Sequence, residues 1–146
     1  MLVFDAYPLA AVLLGEPAGE PVARLLSSSL EAARLGAINA AEVVDLVARA
    51  RAVEPGQVSA AIDLWAEGGL RVVALDWPRA QRAAELRATN YHRTRSPVSL
   101  ADCAAVALAE HLGATLVTSD GPMLRIARSV GADVHAVADS TGSMPA

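Results

Sequence analysis

The sequence predicts an α/β fold in which helices cover both faces of a parallel sheet. Short apolar runs ending at acids or glycines alternate with longer helical patterns along the whole chain. Such alternation builds parallel strands joined by helical crossovers. The content is 53% hydrophobic but only 3% aromatic, so the core must be Ala, Val, Leu and Ile. The 146 residues show no internal repeat and no linker, which fits one domain over residues 1–137 and a loose tail over 138–146. In folds of this class the carboxyl ends of the strands line the ligand crevice, so residues at strand ends carry the functional question.

Leu2 to Phe4 read as a buried strand ending at Asp5. Pro8 suits the first turn of a helix that runs to Leu14 and stops at Gly15. A second helix is expected from Glu20 to about Leu30, with Val22, Leu25 and Leu26 on one face. Gly36 to Asn39 read as a very short strand, followed by a helix from Ala40 to about Ala52. Glu54, Pro55 and Gly56 break it, and Val58 to Glu67 form the next helix. Leu70 to Leu75 make the clearest strand pattern, and Asp76-Trp77-Pro78 open a helix to about Thr89. A polar, basic loop, Tyr91 to Pro97, precedes a strongly apolar helix that Gly113 stops. A strand to Thr118 comes next, then a helix from Pro122 to Val130, and a final strand over Asp133 to Val137.

The charge pattern excludes several chemistries. The net charge is -4, and every one of the 12 basic residues is Arg. Without lysine there is no P-loop lysine, no Schiff-base lysine and no lysine general base. An acidic chain is a poor passive binder of nucleic acid, so metal ions must supply part of the positive charge if it acts there. The single cysteine, Cys103, forbids an internal disulfide and fits a reducing, cytoplasmic setting. The first residues lack the basic segment of a signal peptide, and no run is apolar enough to span a membrane.

Four acids stand at strand ends or in the first turns that follow. Asp5 ends the first strand, and it can equally cap the next helix. Glu42 lies three residues after Asn39, a spacing that also suits a capping box. Asp102 lies three after Ser99 with the same ambiguity, and Asp120 can cap the last helix. Four carboxylates converging beside a buried core would repel one another unless a cation neutralised them. An oxygen-only donor set favours Mg²⁺ or Mn²⁺ over Zn²⁺, and it suits phosphodiester hydrolysis.

These segments resemble a PIN domain, specifically the VapC-type toxin ribonucleases of bacterial toxin–antitoxin pairs. The matching stretches are Leu2 to Asp5, Ile38 to Glu42, Leu100 to Ala109 and Leu116 to Asp120, within a likeness spanning about residues 1 to 137. The resemblance implies a three-layer α/β/α sandwich. It also implies a Mg²⁺- or Mn²⁺-dependent endoribonuclease, a homodimer, inhibited by a small VapB-type antitoxin. Asp5, Glu42, Asp102 and Asp120 take its catalytic and metal-binding positions. Thr118 takes its hydroxyl position two residues before the last acid, and Asn39 a polar position near the second. Two positions depart from the pattern. Tyr7 stands where Ser or Thr is frequent, and Met123 and Leu124 stand where an aromatic is frequent.

Arg93 and Arg95 are candidates to contact RNA phosphates, with an ordinary exposed loop as the competing reading. Asp45, one turn beyond Glu42, either joins the acids or faces solvent. The three histidines have no partners at ligand spacing. Sequence-specific DNA binding by this chain alone is not expected. The runner-up function is a PIN-like binding module with weak catalysis. The acidic crevice also suggests that a basic antitoxin segment docks there, with an Arg or Lys among the carboxylates.

Overall fold

A computed structural model describes residues 1–146. Five parallel strands form one sheet in the order β3-β2-β1-β4-β5: β1 (Leu2–Phe4), β2 (Ala33–Gly36), β3 (Arg71–Val73), β4 (Thr115–Thr118) and β5 (Val134–Ala136). Seven α-helices connect them: α1 (Ala6–Leu14), α2 (Gly19–Ser28), α3 (Ala37–Arg51), α4 (Pro55–Glu67), α5 (Trp77–Asn90), α6 (Leu100–Leu112) and α7 (Gly121–Ser129). The strand order turns back at β1, which lies between β2 and β4. Crossovers diverge on its two sides and leave a crevice at the carboxyl ends of β1 and β4.

Strand alternation divides the core into two layers. Phe4, Leu35 and Val117 point to one face and pack with Leu9, Val22, Val43 and Ile62 of α1 to α4. Val3 and Leu116 point to the other and pack with Leu86, Val106 and Ile126 of α5 to α7. The result is a three-layer α/β/α sandwich. Helix α6 carries the longest buried run, because every residue from Cys103 to Ala109 is buried. Small alanines let it lie close against the sheet, and Gly113 ends it in the left-handed conformation (φ 56°) that glycine adopts without steric cost.

Several boundaries differ from the sequence reading. Strand β2 is Ala33–Gly36, not Gly36 to Asn39, and α3 starts at once at Ala37. Arg34 hid the strand, since a cation in mid-strand reads as surface. Its guanidinium reaches the carbonyls of Glu31 and Ala33 instead of entering the core. Helix α1 begins at Ala6, ahead of Pro8, because Asp5 caps it. Strand β3 is shorter than expected and lies at the sheet edge with Arg71 and Val72 exposed, so its apolar pattern is only half used. Residues Asp139 to Ser143 form a turn in which the Asp139 carboxylate accepts from the Thr141 and Ser143 backbone N–H groups. No helix is long and apolar enough to cross a membrane.

Candidate active site

The sheet register sets the site. Phe4 pairs with Val117 on one side and Leu35 on the other, so Asp5 comes level with Thr118 and Gly36 where the strands end. Asp5 is buried and its carboxylate accepts two hydrogen bonds. Its Oδ1 accepts from the Ala6 N–H at 2.7 Å, and its Oδ2 accepts from the Thr118 hydroxyl at 2.8 Å. Capping and site membership therefore coexist in this residue.

Asp102 combines the same two roles. Ser99 and Asp102 form a complete capping box at the start of α6, with the Ser99 N–H donating to Asp102 Oδ2 at 2.6 Å. The helix N-terminus favours a carboxylate there. Glu42 has no capping role, because α3 begins at Ala37 with Gly36 as a cap that makes no side-chain bond. The Asn39–Glu42 capping box expected from sequence is thereby replaced. Asn39 is fully buried within α3, and its Nδ2 donates to the Ala101 carbonyl at 3.2 Å and to Glu42 Oε2 at 3.4 Å. It thus ties α3 to the residue preceding Asp102. Asn39 Oδ1 finds no donor. A Cβ on Gly36 would stand 2.8 Å from that oxygen, so this close approach depends on glycine.

One oxygen each from Asp5, Glu42 and Asp102 lie within 4.8 Å of one another. Asp120 stands outside that trio. It caps α7, accepting from the Met123 N–H at 2.7 Å, while its own N–H donates to Thr118 Oγ1 at 3.1 Å. Thr118 thus joins the first and last acids. The electrostatics agree with a crowded carboxylate site. Burial, with added repulsion from Asp102 and Glu42, pushes Asp5 up to about 7. Burial first, and then the Asp102 charge, raises Glu42. Burial also raises Asp120, again with Asp102 repelling it and with Arg125 pulling the other way. Asp102 is the charge that the other three acids share. No cationic side chain makes an ion pair with Asp5, Glu42 or Asp102. An oxygen-only trio lacking an internal counter-charge has the donor chemistry that suits a hard divalent cation.

A family model for the PIN domain matches residues 2–129. The chain is a PIN domain. PIN domains are generally nucleases and typically use divalent metals, which agrees with an acidic trio at the sheet's carboxyl edge. Two solved structures share the fold. The crystal structure of FitAcB from Neisseria gonorrhoeae matches with a TM-score of 0.64 and 24% identity, over 92% of this chain and 96% of that one. A structure of FitAB bound to an IR36 DNA fragment matches with a TM-score of 0.61 and 21% identity, over 92% of this chain and 94% of that one. A comparison with curated proteins finds no significant relative.

The remaining candidates separate cleanly within this PIN domain. Asp45 is exposed, paired with Arg49 at 2.6 Å and outside the trio, although its charge adds to the raising of Glu42. The Tyr7 hydroxyl donates to Glu16 at 2.7 Å rather than serving Asp5. Cys103 lies in the core, and burial pushes its thiol up to about 11. His92 Nδ1 accepts from the Thr94 and Arg95 N–H groups, which makes it an organiser of the basic loop. Arg93 and Arg95 are both exposed on that loop, but only Arg95 lines a groove there. The sequence reading missed Arg125. Its signal was helical spacing: four residues after Gly121, it folds back over the first turn of α7, beside the Asp120 cap.

Proposed function

We propose that this PIN domain is a Mg²⁺- or Mn²⁺-dependent endoribonuclease and the toxin of a VapBC-type toxin–antitoxin pair. The observation that carries the reading is the trio of Asp5, Glu42 and Asp102, whose oxygens converge within 4.8 Å with no cationic side chain paired to them. These three residues would hold the cation, with Asp120 at the margin. A bound divalent ion would supply Lewis-acid chemistry, easing deprotonation of water and offsetting charge on the leaving oxygen. The chain's own part is positioning. Thr118 holds Asp5 and the Asp120 backbone, Ser99 holds Asp102, and Asn39 holds Glu42.

The same acidic crevice supports an antitoxin that inserts a basic side chain among the carboxylates, where it would displace the metal. A homodimer and a cytoplasmic setting follow from the VapC-type reading. Exposed Val72, Leu75 and Trp77 near the open sheet edge offer an apolar face for a second copy. The test is cleavage of single-stranded RNA in Mg²⁺ or Mn²⁺, abolished by chelator and by Asp5→Ala or Asp102→Ala. Robust cleavage by both variants would sink the site assignment. Calorimetric Mn²⁺ titration addresses the binding-module alternative, in which the trio takes up metal poorly.

A further inference from the structure

The arginines of this acidic protein are distributed unevenly. Arg24, Arg49, Arg79 and Arg82 are spent on carboxylate partners, among them the Asp76–Arg79 pair at the start of α5 and the part-buried Arg82–Glu110 pair between α5 and α6. Arg95 and Arg125 are two of the eight arginines that make no ion pair, although the Arg125 charge reaches Asp120. They line one polar groove of about 550 Å³ between the Tyr91 to Pro97 loop and α7, and no acidic residue lines it. The groove is organised: Arg125 Nη2 donates to the Arg95 carbonyl at 3.3 Å, a His92–Ser96 bridge closes the loop, and Arg87 lies 4.4 Å over the Tyr91 ring.

Its position matters as much as its charge. The loop carrying Arg95 leads directly into α6, which bears Asp102. Arg125 sits on α7, which Asp120 caps. Pro122, two residues beyond Asp120, forms part of the groove wall. The two segments that deliver two of the acids therefore also deliver two guanidiniums held in no ion pair. An arginine without a carboxylate partner keeps its fork of donors for phosphate.

We propose that the Arg95–Arg125 groove is a phosphate subsite that holds the backbone of a single-stranded RNA next to the scissile position. This rests on the nuclease reading above. It explains how a chain of net charge -4 retains a polyanion whose reacting phosphate must enter a carboxylate site. The groove would hold flanking phosphates by charge while the metal neutralises the site itself. Arg93, on the same loop but outside the groove, would contribute little.

The probe is a fluorescein-labelled single-stranded RNA titrated by anisotropy against the Asp102→Asn chain in Mg²⁺ at several salt concentrations. Arg95→Gln with Arg125→Gln should weaken binding roughly tenfold and flatten the log–log salt slope by about 1.4, the value for two phosphate contacts on a single strand. An unchanged melting temperature confirms an intact fold. Arg93→Gln should leave affinity within about twofold, consistent with a residue outside the phosphate contacts. In the chain with native Asp102, the double substitution should raise KM with kcat nearly unchanged. RNA bound with an arginine-dependent slope but never cleaved would sink the nuclease reading and leave the groove standing. RNA cleaved with the same KM and salt slope in the double variant would overturn the groove alone. A native chain that neither binds nor cleaves RNA would overturn both.

Discussion

Thr118 and Asp5, 113 residues apart in sequence, meet at the ends of adjacent parallel strands, where the Thr118 hydroxyl donates to Asp5 Oδ2 at 2.8 Å. The Thr118 hydroxyl oxygen in turn accepts the Asp120 N–H. Thr118→Val keeps the shape and removes both functions, leaving buried polar groups unsatisfied. It should cost about 1–3 kcal/mol in urea unfolding. It should also weaken Mn²⁺ binding near neutral pH, because the Thr118 hydroxyl, with the Ala6 N–H, lowers the Asp5 pKa against burial. Thr118→Ser should restore most of both. A valine variant with native stability and native metal affinity would show that the hydroxyl is idle.

Asp102→Asn separates capping from charge. An asparagine oxygen can still accept the Ser99 N–H, so the capping box at the start of α6 survives. The negative charge felt by Asp5, Glu42 and Asp120 disappears. Metal-free stability near pH 7 should therefore hold or rise, while RNA cleavage falls about 100-fold or more. Asp102→Ala should lose activity similarly but also lose about 1 kcal/mol from the cap. Equal melting temperatures for the two variants would mean that the cap contributes nothing.

The acids of this site were legible in the sequence because each flanks a recognisable apolar segment. Their mutual geometry was less so. The register that levels Asp5 with Thr118 depends on pairing β1 with β4, and chain order does not state that pairing. The spacing of Asn39 and Glu42 matched a cap. A strand start moved by three residues turned the same spacing into a buried contact with α6. Arg34 in mid-strand caused that shift, because charge in a strand is read as exposure although a long side chain can reach backbone carbonyls at the edge. Asp120 matches the other acids in sequence position, yet its carboxylate caps α7 outside the trio.

Metal-free stability should fall as pH rises through the acidic range. Burial raises Asp5 from 3.8 to about 7. Between those values the folded protein retains a proton that the unfolded chain has released, so the native state binds more protons and stability declines with pH. This group contributes fully below its unfolded pKa, and its contribution is lost by about pH 7, a change of at most about 4 kcal/mol. Glu42 and Asp120, also raised, act in the same direction. Melting temperatures in chelator should drop from mildly acidic to neutral pH. Excess Mg²⁺ should flatten the curve, and Asp5→Asn should remove much of the slope. A chelator profile that rises over this range would contradict the buried carboxyl.

Gly36 should prove inseparable from Asn39. Its backbone (φ -62°, ψ 141°) is open to any residue, so conformational freedom is not the reason for glycine there. The reason is space: an added Cβ would stand 2.8 Å from Asn39 Oδ1, closer than real Cβ contacts allow. Asn39 is fully buried and cannot retreat without releasing Ala101 and Glu42. Gly36→Ala should therefore cost about 1–3 kcal/mol by overpacking. Asn39→Ala should cost about 1–3 kcal/mol through lost hydrogen bonds. The double variant has room for the new methyl, so its cost should fall at least about 1 kcal/mol short of the sum of the two single losses. Mn²⁺ affinity should follow the same pattern, because each single change frees Glu42 by the same route. Strict additivity in a double-mutant cycle, with stability and metal affinity both summing, would show that Gly36 acts on something other than Asn39.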